Sequence, residues 1–313
     1  MVPLINRIVH ILLSTHNGEA FLREQMDSLI RQTYPHIIIH VRDDGSVDDT
    51  PKILREYEEK YLHVKVVYGE NLGINKSFYE LLGVVSESQD LFAFCDQDDV
   101  WDEDKIAQAV GLLSQRSNCE STLYLCRYQF VDEQLRKIKT SDHRRHLHFA
   151  NAVVESGVAG CTMVFGSRLK DIMRRSDPDA WNMHDWWVYL VATAFGEVLF
   201  DPVPHLRYRR HSGNTTGWEK SYVAKMIERF KLFSQREKMG ASGLISLQQA
   251  SRFIRQYEST ISPKLRQLVL DLEQLRSKKM ILHRIAYIMR PRVRREHAFE
   301  NFVLLMVIAS GRH

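Results

Sequence analysis

The chain has 313 residues, 44% of them hydrophobic, enough to bury the core of one large domain or two smaller ones. Its longest apolar runs, such as FVLLMVIA at 302–309, fall short of the roughly 20 residues needed to cross a bilayer. The net charge of +4 hides a division: residues 1–203 hold 21 Lys/Arg against 31 Asp/Glu, and residues 204–313 hold 22 against 8. An acidic body is followed by a basic tail, and the tail asks for an anionic partner.

RIVHILLS (7–14) reads as a buried strand, broken by Arg7 and His10 and unlike a secretion leader. EAFLREQMDSLIRQT (19–33) sets Phe21, Leu22, Met26, Leu29 and Ile30 at helical spacing. HIIIHVR (36–42) is a second strand, and SVDDTPKILREYEEKY (46–61) a helix whose start carries Ser46, Asp48 and Asp49. HVKVVYG (63–69), KSFYELLGVVSES (76–88) and DLFAFCD (90–96) continue as strand, helix and strand. Repeated β-α units predict a mostly parallel sheet with helices on both faces, and ligands then bind beyond the carboxyl ends of the strands. The four cysteines, Cys95, Cys119, Cys126 and Cys161, lack metal-type spacing and are expected as free thiols.

The ligand edge gathers the unusual sequence. STHNG, DDGSVDD, GENLGINK and DQDD follow strands one to four in turn. Each alone is ordinary turn chemistry, whereas four together predict a polar site. STHNGEA lacks the G-x-G-x-x-G of a dinucleotide fold, and no P-loop stretch occurs. Carboxylates that hold a hard divalent cation, itself bridging a diphosphate, remain. A sugar-1-phosphate nucleotidyltransferase would want a basic Gly-rich loop near the N-terminus, which STHNGEAF does not offer.

VHILLSTHNGEAFLREQMDSLIRQTY, RDDGSVDDT, NLGINKSF, CDQDDVWDEDKI, MHDWWVYLVATAFG and YRRHSGNTTG resemble, in order, the motifs of family 2 glycosyltransferases. Within the family, DQDDVW, HDWW and YRRHSGN are most similar to bacterial polysaccharide rhamnosyltransferases. The resemblance implies a GT-A fold over residues 1–217, divided into a nucleotide-sugar-binding half (1–100) and an acceptor-binding half (101–217). It implies that Ser14, Thr15 and Asn17 meet the nucleotide and that Asp44, beside Asp43, accepts from the base. Asp96 and Asp98, with Gln97 between them, become the metal and diphosphate motif, completed by His211. Asp185 becomes the catalytic base. Manganese or magnesium is the implied cofactor. The donor is implied to be dTDP-L-rhamnose, with a UDP-hexose as the alternative. The segment GINKSF departs from many relatives, and Lys76 is expected to take over a diphosphate contact there.

Independently of the resemblance, inverting glycosyl transfer needs a base for the acceptor hydroxyl. Asp185 sits where a long apolar helix should begin, a position that also suits a simple capping carboxylate. Trp186 and Trp187 beside it are candidates for a sugar-stacking wall, with core packing the alternative; Trp101 is expected to be core. Arg209 and Arg210 either meet diphosphate or are solvated.

Residues 218–313 read as a helical basic region. Val223, Met226, Ile227, Phe230 and Phe233 keep helical spacing, and residues 276–297 pack eight Lys/Arg among apolar residues. This pattern fits an anionic membrane surface, or a helical subdomain with a solvated basic face. The expected partners are a nucleotide sugar, a saccharide acceptor carried on lipid, and that membrane surface, with no nucleic acid. The expected location is cytoplasmic, on the inner face of the membrane.

Overall fold

The computed structural model describes residues 6–85, 90–213, 239–275 and 281–310. The helical pattern around Val223–Phe233, the residues Asn214 and Gly217, and residues 276–280 lie outside them. Two compact units emerge, each discontinuous in sequence. The first comprises Met1–His143, Val158–Asp179 and Met183–His211; the second comprises Arg144–Gly157, Ala180–Asn182 and Ser212–His313. By sequence the chain divides after residues 100 and 217, whereas the second unit also takes in 144–157 and 180–182.

The first unit begins with β1 (Val9–Thr15), α1 (Leu22–Ile30), β2 (Ile37–Asp44), α2 (Thr50–Lys60), β3 (Val64–Gly69), α3 (Ile74–Gly83) and β4 (Leu91–Cys95). These are the alternating elements the sequence predicts, within a few residues at each end. It continues with β5 (Val100–Trp101), α4 (Lys105–Leu113), β6 (Thr122–Val131) and β7 (Lys137–Thr140). Past α5 (Phe149–Ala152), which belongs to the second unit, come β8 (Met163–Gly166), α6 (Ser167–Arg174), α7 (His184–Phe195) and β9 (Glu197–Arg209). Among the described residues the strand order is β3-β2-β1-β4-β8-β6-β9-β5, with β7 beside β6. The β1–β2, β1–β4, β2–β3 and β6–β9 ladders are parallel and carry most of the paired residues; β8 and β5 run antiparallel to their neighbours. The β6–β9 register shifts where Pro202 and Pro204 enter β9, because proline cannot donate to a ladder.

Strand alternation divides the core between two faces. Val9, Ile11, Leu13, Ile39, Val41, Leu91 and Ala93 pack with Leu22, Met26, Leu29, Leu54, Ile106 and Val110 of the helices on one side. On the other, Phe94 meets Phe78 at 4.9 Å and Phe165 at 4.9 Å between ring centroids. All four cysteines are buried free thiols.

The second unit holds α5, α8 (Met239–Gln256), α9 (Pro263–Gln274), α10 (Ile281–Met289) and α11 (Ala298–Ser310). Ser262 caps α9 by accepting from Leu265 N, and Pro263 opens the helix where its missing N–H costs nothing. The segment 144–157 is built into this unit. Glu296 accepts from the backbone of Arg145 and His146, Asn151 donates to Arg294 O, and Arg295 donates to Val154 O. Among the described residues no helix is long and apolar enough to cross a membrane.

Candidate functional site

Four loops leave the carboxyl ends of β1 to β4, and hydrogen bonds join them. Ser46 and Asp48, which the sequence offers to a helix start, work in the loops before α2. Ser46 Oγ accepts from Asn17 N, and Asp48 Oδ2 accepts from Glu19 N. Asn17 stands at φ 48°, a conformation asparagine tolerates, and its Oδ1 accepts from Val47 N. Gly45 stands at φ 76°, and a Cβ there would lie 2.8 Å from Asn71 N, so the DDG turn needs glycine. Gln97 clasps the β1 loop at two points: its Oε1 accepts from His16 N at 2.9 Å and its Nε2 donates to His16 O at 3.1 Å.

Each residue expected at the nucleotide has a definite place. Ser14 Oγ lies 2.6 Å from Ser77 Oγ of α3. Thr15 is buried and donates to Asp43 Oδ1, and Asp43 also accepts from the hydroxyl and amide of Ser46. Asp44 is buried and heavily engaged. It pairs with the buried Arg42 and accepts from Leu72 N at 2.8 Å and Gly73 N at 2.9 Å. The carboxylate expected to read the base therefore also holds the loop between β3 and α3. Lys76 Nζ sits 2.8 Å from Asp179 Oδ1 on the surface, an ion pair that a diphosphate would have to displace.

Beyond β4, Asp96 and Asp98 are partly exposed while Asp99 is buried. His211, just past β9, brings Nε2 to 2.7 Å from Asp98 Oδ2, and its ring lies 4.7 Å from that of Phe21. Burial pushes the Asp96 carboxyl up to about 7, helped by the charges of Asp98 and Asp185, against a bond from the Cys161 thiol. Asp99 is raised well above the carboxylate range, first by burial and then by Asp98 and Asp96. Carboxyls this close relieve their repulsion by keeping a proton or by sharing a cation.

Two groupings can be weighed as a cation site. Asp96, Asp98 and His211 offer two carboxylates and an imidazole from partly exposed side chains, a donor set suited to manganese or magnesium. Asp96, Asp99 and Cys161 bring ligand atoms within 4.8 Å of one another. There, however, Asp99 already accepts from Arg209 N, and the buried amine of Lys105 lies within electrostatic reach. Among the described residues Lys105 Nζ has no hydrogen-bond partner; it lies over the Trp101 ring, and burial lowers its pKa. By donor chemistry the first grouping suits a dication better, whereas by proximity it is the second whose ligand atoms lie together.

Asp185 lies in the first turn of α7 and is partly exposed. Burial raises its carboxyl to about 6, overcoming the amide bonds from Trp186 and Gly160 that lower it. Asp185 is close enough to act on the Asp96 charge. Beside it, His184 is buried between Phe78 and Phe94, and burial depresses its imidazole to about 3.

The alternatives left open at Trp186, Trp187 and Arg209 narrow. Trp186 and Trp187 are both buried, at 5% and 0% exposure, so neither indole presents a sugar-stacking face: the apolar helix that carries them is packed over most of its circumference. Arg209 is neither solvated nor directed at a diphosphate. It is fully buried and donates to Asp98 O, Glu133 O and Glu24, bracing the acidic loop from behind. The buried Asp99 and the bracing position of Arg209 are what sequence reasoning missed; the third carboxylate of DQDD and the arginine pair of YRRH were the available signals.

The glycosyl transferase family 2 model matches residues 10–163. The dTDP-rhamnosyl transferase RfbG of Shigella flexneri is 30% identical over 225 residues, 68% of this chain and 76% of that protein. The chain belongs to glycosyl transferase family 2. An uncharacterized glycosyltransferase of Rickettsia prowazekii, RP339, is 26% identical over 215 residues, 67% of this chain and 66% of that protein. Among solved structures, S. aureus TarS in complex with UDP aligns with TM-score 0.57 and 15% identity, over 90% of this chain and 75% of that one. Mannosyltransferase PcManGT from Pyrobaculum calidifontis, in complex with GDP-Man and Mn2+, aligns with TM-score 0.55 and 17% identity, over 99% and 76%. The fold is that of GT-A glycosyltransferases, and the family member is an enzyme that transfers sugar.

Proposed function

We propose that the protein is an inverting, metal-dependent rhamnosyltransferase that moves L-rhamnose from dTDP-L-rhamnose to a saccharide acceptor. One observation carries the chemistry. Asp185, a partly exposed carboxyl raised to about 6, stands within electrostatic reach of Asp96 on the acidic loop. A base with a pKa near the working pH combines basic strength with a usable ionised fraction. Asp185 takes the proton of the acceptor hydroxyl as that oxygen bonds to C1 of the sugar. The bond from C1 to the diphosphate oxygen breaks on the opposite side, and nucleoside diphosphate leaves. Asp96, Asp98 and His211 would hold manganese or magnesium, which when bound neutralises charge on the leaving diphosphate.

The donor rests on the relative that is 30% identical, named a dTDP-rhamnosyl transferase. The acceptor is read as a lipid-carried polysaccharide precursor at the cytoplasmic face of the membrane, approached through the basic region after residue 217. The test is incubation with a panel of nucleotide sugars, manganese or magnesium, and a saccharide acceptor, followed by assignment of donor and anomeric configuration in the product. Transfer of a hexose from a UDP donor, with the rhamnose donor untouched, would replace the donor assignment. Retained anomeric configuration would remove the single displacement.

A further inference from the structure

The helix α10 is turned inside out for a helix packed only against protein. Leu282, Ile285 and Met289 are 79%, 55% and 77% exposed, and Ala286 between them is exposed too. The spacing i, i+3, i+4, i+7 places all four on one narrow stripe. The opposite face buries Arg284 and Tyr287. A soluble amphipathic helix ordinarily does the reverse, since apolar burial is favourable and burying a charge is costly.

Arg284 shows what holds the helix in this rotation. Its Nε donates to Leu275 O at 2.8 Å, just past the end of α9, and its Nη1 donates to Ala309 O at 3.3 Å, in the last turn of α11. A cation at two helix C-termini meets carbonyls that lack helical partners and the negative ends of both dipoles. With Arg284 anchored inward, the stripe of Leu282, Ile285 and Met289 points away from the unit. On α11, Phe302 and Met306, one turn apart, are also exposed, at 56% and 37%.

The setting of this apolar surface is basic. Arg290, Arg292 and Arg294 follow α10 directly and are exposed, Arg292 being paired with Asp271. The acids nearby are engaged within the unit: Glu300 pairs with Arg295, and Glu296 accepts from the amides of Arg145 and His146. Apolar side chains beside arginines, in a region with 22 Lys/Arg and 8 Asp/Glu, match an anionic lipid interface in both apolar character and charge. A second copy of the chain would bring the same positive charge against itself.

We propose that the outward stripe of α10, centred on Leu282, Ile285 and Met289, inserts at the headgroup boundary of an anionic bilayer, with Arg290 and Arg294 on the phosphates. This deepens the membrane reading above and assigns it a surface. The inward Arg284 is the positioning residue that presents the stripe.

The full chain is tested by co-sedimentation with vesicles of phosphatidylglycerol and phosphatidylcholine, and with phosphatidylcholine alone. The wild type is expected on the mixed vesicles only. The combined variant Leu282→Ser, Ile285→Ser, Met289→Ser should bind roughly tenfold or more weakly, because the lost apolar area is what enters the interface. These side chains are exposed, so unchanged circular dichroism and melting are expected. Arg290→Gln with Arg294→Gln should weaken binding and reduce its salt dependence. If only the arginine variant loses binding, the membrane reading stands on charge alone and the stripe is overturned. If the wild type ignores the mixed vesicles, both fall. If light scattering finds a dimer that the serine variant converts to monomer, the stripe is a subunit interface and the proposal is overturned.

Discussion

His211 Nε2 lies 2.7 Å from Asp98 Oδ2, closing onto the loop after β4 a residue that the chain reaches 113 positions later. The contact joins an imidazole and a carboxylate that are both partly exposed. Asp98→Ala and His211→Ala should each lower manganese-dependent affinity for a nucleoside diphosphate by tenfold or more, about 1.4 kcal/mol, with little change in melting temperature. Calorimetric titration with and without the cation measures this directly. Equal affinities for wild type and variants would remove the pair from the cation site.

Asp185→Asn keeps the shape of the side chain and removes the carboxylate proposed as the base. We expect kcat to fall by about 10²–10⁴ with the donor KM nearly unchanged. In the wild type, the carboxyl raised to about 6 must be ionised to accept a proton. The log of kcat should therefore climb with pH below about 6 and level off above it, and the asparagine variant should lack that step. A wild-type profile flat from pH 5 to pH 8 would return Asp185 to a structural role in the first turn of α7.

Asp44→Asn tests a carboxylate that holds a loop and is also proposed to meet the nucleotide. The buried Arg42 loses its counter-charge, and breaking such a pair costs roughly 3–5 kcal/mol. The Leu72 and Gly73 amides also lose a carboxylate acceptor, so the β3–α3 loop loosens. Melting temperature and donor affinity should fall together. A drop in affinity at constant melting temperature would mean that Asp44 serves the nucleotide alone.

Gln97→Ala removes both bonds to the His16 backbone. The donor KM should rise several-fold while kcat changes little, since the clasp positions the β1 loop and touches no reacting group. An equal loss in kcat at saturating donor would assign Gln97 to the chemistry itself.

The β-α units up to β4 were legible because apolar period and turn chemistry are local properties. The convergence of STHNG, DDGSVDD, GENLGINK and DQDD on one edge followed from parallel topology alone. What stayed hidden depends on distant partners. The buried state of Trp186 and Trp187 is decided by what packs around α7, and neighbours in the sequence cannot reveal it. Arg209 looks like any surface arginine until β9 carries it behind the acidic loop, where Glu24 and Asp98 receive it. Asp44 reads as turn chemistry locally and as a contact to the base by resemblance, and only the arrival of Leu72 and Gly73, 28 and 29 residues on, makes it a clamp.

The placing of residues 144–157 among the C-terminal helices has a practical consequence for anyone who cuts or recombines this gene. Phe149 packs near Phe253, with ring centroids 5.9 Å apart, and Asn151 and Glu296 tie the same stretch to the region before α11. A truncation after residue 217 would thus strip a cover from apolar side chains that sit in the middle of the coding sequence, and the shortened product should aggregate. Chimeras between family members face the same constraint. An exchange of tails by a single crossover would pair one parent's 144–157 with the other parent's helices, whereas a double exchange carrying both pieces keeps inherited partners together.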